Sequence, residues 1–136
     1  MSHQQRLEKA RADFAWKCIL KIKGLEKKKI EEKYSSLVRG APADIQINGL
    51  GQSASFWRAK GYERGNPGTK DEQVAHASVL EHITEWLQIA KHVQLNSQNL
   101  VEWISGTEDT NQYRLVTSET IALLAWLKRF AEAELA

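Results

Sequence analysis

Apolar residues recur every three or four positions along almost the whole chain, and only two prolines, Pro42 and Pro67, interrupt them. That spacing matches the helical repeat, and strand-like alternation is rare, so an all-α fold is expected. The first helix should run from His3 to about Lys23. Leu7, Ala10, Phe14, Cys18 and Ile22 lie on one side of it, with Trp16 and Leu20 on the other, so it should be gripped from two directions. Gly24 ends it. A second helix, from Glu26 to Arg39, should stop at Gly40-Ala41-Pro42, because proline disfavours the α conformation in the residue before it. Pro42 then suits the first turn of the next helix.

Gly49-Leu50-Gly51 separates two helical stretches. Glycine tolerates positive φ and close backbone approach, so the chain should bend here. The helix beyond it carries Phe56, Trp57, Arg58 and Lys60, and buries Phe56. Residues 61–70 read as a loop from their Gly, Asn and Pro content. Thr69 and Glu72 match a capping box that opens a helix to about Val93, with Val79, Leu80, Ile83, Trp86, Leu87 and Ala90 as its buried stripe. A short helix within residues 96–106 and a polar loop over 107–114 should follow. Thr117 or Ser118 would then cap the final helix, where Leu123, Trp126, Leu127 and Phe130 point inward and Lys128 and Arg129 outward. A chain of 136 residues fits one domain. The expected architecture is a compact single-domain helical bundle of about five to six helices, spanning residues 1–136.

Net charge is only +2, yet its distribution is lopsided. Residues 1–70 hold 15 Lys/Arg against 7 Asp/Glu, and residues 71–136 hold 4 against 10. One face could meet a polyanion, or unlike charges could mix on the folded surface. Lys27, Lys28 and Lys29 are interleaved with Glu26, Glu31 and Glu32, with Lys27/Glu31 and Lys28/Glu32 as i, i+4 neighbours, so a solvated helix face is the better reading of that run.

Chemistry is sparse. Gly49-Leu-Gly51-Gln-Ser-Ala54 formally matches a dinucleotide-binding pattern, but that motif needs a preceding strand, and a helix turn precedes it here. The four histidines, His3, His76, His82 and His92, never fall at i, i+4 spacing and read as solvated helix-surface residues. Cys18 should pack in the core. No catalytic constellation, metal site or cofactor site is expected. Of the five tryptophans, Trp86 and Trp126 sit on buried stripes, while Trp16 and Trp57 are the only candidates for exposure, with core or a protein interface favoured for each. The lone cysteine cannot form an internal disulfide, and the opening residues lack the apolar centre of a signal peptide, so a cytoplasmic location is expected. No apolar run approaches the roughly 18 residues that a membrane span needs.

Two blocks, "PADIQINGLGQSASFWRAKG" and "TSETIALLAWLKRFAEAEL", resemble the small α-helical subunit of the Cmr complex, the type III-B CRISPR RNA-guided effector. The features that carry the resemblance are Pro42, Asn48 to Gln52, Phe56 and Lys60, then Thr117, Glu119 and residues 126–131. The resemblance implies a non-catalytic role in antiviral defence. Several copies would stack as an inner filament beside backbone subunits that grip the guide RNA. The basic face would follow the guide–target duplex, mainly the target strand. The implied partners are the backbone and large subunits, further copies of the chain, and RNA. Arg58, Lys60, Lys128 and Arg129 hold the charged positions within the two blocks, and are the expected RNA-facing residues, flanked by Lys17 and Lys21. The competing account of these cations is internal pairing, for instance Lys128 with Glu132.

Three rivals stand against that reading. A helix-turn-helix DNA binder would need a polar recognition helix after the Gly49 break. A small metal-dependent hydrolase would need a carboxylate–histidine cluster. A stand-alone helical adaptor would bind other proteins without RNA.

Overall fold

The computed structural model describes residues 1–136, and the chain is all-α apart from one two-residue hairpin. In order it forms α1 (His3–Gly24), α2 (Lys28–Gly61), β1 (Tyr62–Glu63), β2 (Asn66–Pro67), α3 (Asp71–Ile89), α4 (Leu100–Gly106) and α5 (Thr110–Glu134). One cluster of 26 buried residues draws on all five helices. At about 1.5–3 kcal/mol for each large apolar side chain buried, this cluster is the main source of stability.

Local chemistry sets several helix starts. The Ser2 hydroxyl accepts from the Gln5 N–H at 3.1 Å, and the Gln5 side chain accepts from the Ser2 N–H at 2.8 Å. Asn99 and Glu102 make the same reciprocal pair before α4. The predicted Thr69/Glu72 box does not form. Instead α3 starts one residue later, and the Gln73 side chain accepts from the Lys70 N–H at 3.1 Å. Residues 61–70 are more ordered than a loop, because β1 and β2 pair through a turn at Arg64 and Gly65 with φ of 51° and 84°. Positive φ at both central residues gives the turn a twist that suits a tight hairpin.

Other expected boundaries moved too, and α3 ends at Ile89 rather than near Val93. α2 does not stop before Pro42 but runs through it. Val38, Ala41 and Ile45 lie on one buried face across the proline, and burying that face offsets the hydrogen bond the ring removes. Likewise residues 110–114 are helix, not loop. Asp109 caps α5 by accepting from the Gln112 N–H at 3.0 Å, while Thr117 lies inside the helix with its hydroxyl bonded to the Tyr113 carbonyl.

The bend at Gly49 is present, at φ 85° and ψ 159°, a region that only glycine enters readily. Gly49 sits where a capping residue would, yet has no side chain to cap with. Tyr113 of α5 supplies the missing acceptor: the Gly51 N–H donates to its hydroxyl at 3.2 Å.

α2 packs mainly on α3, and α1 mainly on α5. Arg11 meets Glu119, Trp16 meets Phe130, and Lys23 meets Glu134, so numbering rises together along both helices. α1 and α5 therefore run parallel. On the second side of α1 the grip is only partial: Trp16 leans on Phe130 yet stays 38% exposed, and Leu20 is 44% exposed. Cys18 is buried as expected, and burial pushes its thiol up to about 12.

Candidate nucleic-acid interface

The six expected RNA-facing cations occupy three helices. On α1, Lys17 and Lys21 are both exposed and one turn apart. Lys17 pairs with Asp13 at 3.0 Å, and Lys21 has no carboxylate within pairing distance. In the last turn of α2, the Arg58 guanidinium lies 4.5 Å from the Tyr62 ring centroid, and the Lys60 ammonium lies 6.0 Å from that of Phe56. On α5, Lys128 is half-buried and Arg129 exposed, about 100° apart around the helix. Neither is ion-paired, and Lys128 does not reach Glu132.

These residues do not converge on one pocket. Arg58 borders α3 beside Glu81 and Glu85, and Lys21 approaches the same helix closely enough for its charge to act on His82. Arg129 instead borders the seam of α1 and α5, with Glu8, Arg11 and Trp126. The lopsided charge of the chain is partly cancelled on folding. Lys27 meets Asp71, Lys33 meets Glu72, Lys23 meets Glu134, and Arg11 meets Glu119, each joining the basic half to the acidic half. Lys28 pairs with Glu32 at 4.0 Å, so the lysine run behaves as a paired, solvated face. Phe56, expected inside, is 50% exposed. Trp57 and Trp86 are buried, whereas Trp126 is only half-buried, leaning on Phe130.

Sequence reasoning missed two buried polar centres. Glu119 takes a two-point hydrogen bond from Arg11, both contacts at 2.8 Å, and a third from the Trp86 indole N–H at 2.7 Å. Burial alone would raise the Glu119 carboxyl, but hydrogen bonds from Arg11 and Trp86, with the charges of Arg11 and His92, outweigh it and hold it below its ordinary value. His92 Nε2 lies 3.7 Å from the same carboxylate. The second centre corrects the reading of His76 and His82 as surface residues, since both are buried. The His76 ring nitrogen is bonded to the Glu72 carbonyl within its own helix, and His82 Nδ1 is bonded to the Tyr34 hydroxyl at 2.7 Å. A helical stripe reveals which face is buried, but a histidine on it shows no sign of its partner until the facing helix is in place.

Burial, followed by the charge of Lys21, lowers His82 from 6.5 to about 4. Between those values the unfolded chain binds a proton that the folded chain refuses, so stability falls as pH falls from 6.5 to 4. At about 1.4 kcal/mol for each pH unit, the loss should approach about 3 kcal/mol. Urea unfolding across this range checks it. His82→Phe should flatten the slope, and an equally steep slope in that variant would assign it elsewhere.

The Gly49-Leu-Gly51 turn is no dinucleotide cradle. Helix precedes it, and the Tyr113 hydroxyl already occupies the Gly51 N–H. No three His, Cys, Asp or Glu side chains are grouped to hold a metal ion, and no helix is long and apolar enough to cross a membrane.

Residues 7–134 of this helical chain match the family model described as CRISPR-associated protein (Cas_Cmr5). The chain belongs to that family, and so is a Cmr subunit that works in a complex with other subunits.

Proposed function

We propose that this chain is a non-catalytic, cytoplasmic subunit of a type III-B effector, stacking in several copies as an inner filament along the target strand of the guide–target duplex. Family membership supports the setting. The observation that carries the RNA contact is what ion pairing leaves over. Arg11, Lys23, Lys27 and Lys33 are bound to carboxylates of α3 and α5, while Lys21, Arg58, Lys60, Lys128 and Arg129 are among the cations that carry no carboxylate partner. Unpaired lysine and arginine suit a sugar-phosphate strand whose sequence is read by the guide, since backbone contacts need charge but no base code. Trp16 and Leu20, exposed on α1, supply apolar surface for a neighbouring subunit.

Reversing Lys128 and Arg129 to glutamate tests the cationic face in the assembled complex. Target-RNA affinity should fall roughly ten-fold at moderate salt, and the slope of log K against log salt should shrink by about 0.7–0.9 for each lost phosphate contact. Unchanged affinity and slope would remove both residues from the role. Loss of assembly without any RNA effect would favour the adaptor reading.

A further inference from the structure

The bend at Gly49 cuts a recess into the outer side of α2, with a volume of about 390 Å³. Asp44 and Asn48 line it before the bend, and Gln52, Ser53, Phe56 and Trp57 after it. A straight helix would present these residues as a convex ridge, and the glycine turns them into a concavity. Ser53 is the telling member. It is only 6% exposed, and its hydroxyl has no hydrogen-bond partner. That oxygen is closed to solvent, and a buried hydroxyl left unpaired costs about 1–3 kcal/mol, so a polar ligand that reaches it by shifting the exposed Gln52 or Phe56 side chain recovers that cost.

The other walls define the ligand. Phe56 offers half of an aromatic ring, backed on its edge by His76 at 5.6 Å between centroids. Asn48 and Gln52 bring both donors and acceptors, and Asp44 brings an acceptor that repels phosphate but accepts from an amino group. Lys60 is not part of the lining, and its ammonium lies over the Phe56 ring, 6.0 Å from the centroid, so a base stacking there would displace it toward the strand. We propose that this recess holds one unpaired nucleobase, stacked on Phe56 with its hydrogen-bonding edge toward Asn48, Gln52 and Ser53, while Lys60 meets the adjoining phosphate. The inference rests on the RNA reading above and adds a base-contacting site to it. A peptide anchor is a poorer match, because an apolar side chain would strand the amides and the hydroxyl, whereas a base satisfies them.

The test titrates the full chain at low salt with a fluorescently labelled adenosine 10-mer and an abasic ribose-phosphate 10-mer of equal charge. The adenosine oligomer should bind roughly ten-fold more tightly, the scale of one base stacked on an aromatic ring. Phe56→Ala should bring its affinity down to that of the abasic oligomer. Ser53→Ala, which removes an unpaired group at no structural cost, should narrow the gap. Equal binding of both oligomers by the unaltered chain overturns the recess while leaving the cationic face intact. No binding of either oligomer overturns the recess, and the cationic face then stands or falls on the charge-reversal result in the assembled complex. If Phe56→Ala keeps the preference for adenosine but loses assembly with the other subunits, the recess belongs to a protein contact and the proposal fails.

Discussion

Glu119→Ala should lower the free energy of unfolding by about 3–5 kcal/mol, the cost of stranding a buried charge. Arg11 and Glu119 are both largely buried, and the carboxylate accepts two hydrogen bonds from the guanidinium and one from the Trp86 indole. Taking the carboxylate away leaves Arg11 unpaired at the seam of α1 and α5, and the Trp86 N–H without an acceptor. Removing both charges together, as Arg11→Met with Glu119→Leu, should recover much of the loss, because no buried ion then remains. Equilibrium unfolding in urea measures each variant. A cost below about 1 kcal/mol for Glu119→Ala would mean that Arg11 swings out to water and the pair holds little together.

Gly61→Val should be comparably damaging, at about 3 kcal/mol or more, near the upper end of overpacking costs. A β-carbon at Gly61 would lie 2.6 Å from the Ala77 backbone nitrogen and 2.9 Å from its α-carbon. Those are main-chain atoms of α3 and cannot rotate aside, so the helices would have to part at their largest interface. Gly24 gives the control, since a β-carbon there meets nothing within 4 Å, and Gly24→Ala should leave the melting temperature essentially unchanged. A melting temperature for Gly61→Val within a degree or two of the unaltered chain would show that α2 and α3 can slide apart at no cost.

What could be read from the residues alone follows from the range of the forces involved. α1, the buried stripe of α3 and the bend at Gly49 were legible because each is written in residues a few positions apart. The unbroken passage of α2 through Pro42 was not, because the local preference against helix is outweighed by a buried face that only the finished core creates. The start of α5 was misplaced for a similar reason. Residues 107–114 are polar enough for a loop, but the Tyr113 ring packs on the core and its hydroxyl caps the second half of α2, so the helix has reason to begin early. Of the basic half, the charged positions were visible and the partners that neutralise some of them were not. Lys27 was read against Glu31 one turn away, yet it meets Asp71, and the Glu31 carboxylate accepts from the Ala136 N–H instead. The recess was hidden because Phe56 falls at an apolar position of its helix and only the bend exposes it.

The parallel docking of α1 on α5 also fixes the order in which this chain can mature as it is made. Arg11, Trp16 and Lys23 emerge early, but the α5 residues they meet, Glu119, Phe130 and Glu134, come more than a hundred positions later. Until that stretch leaves the ribosome, the nascent chain carries a bare greasy stripe beside a largely complete α2–α3 pair, so newly made copies depend on prompt completion or on a chaperone to avoid clumping.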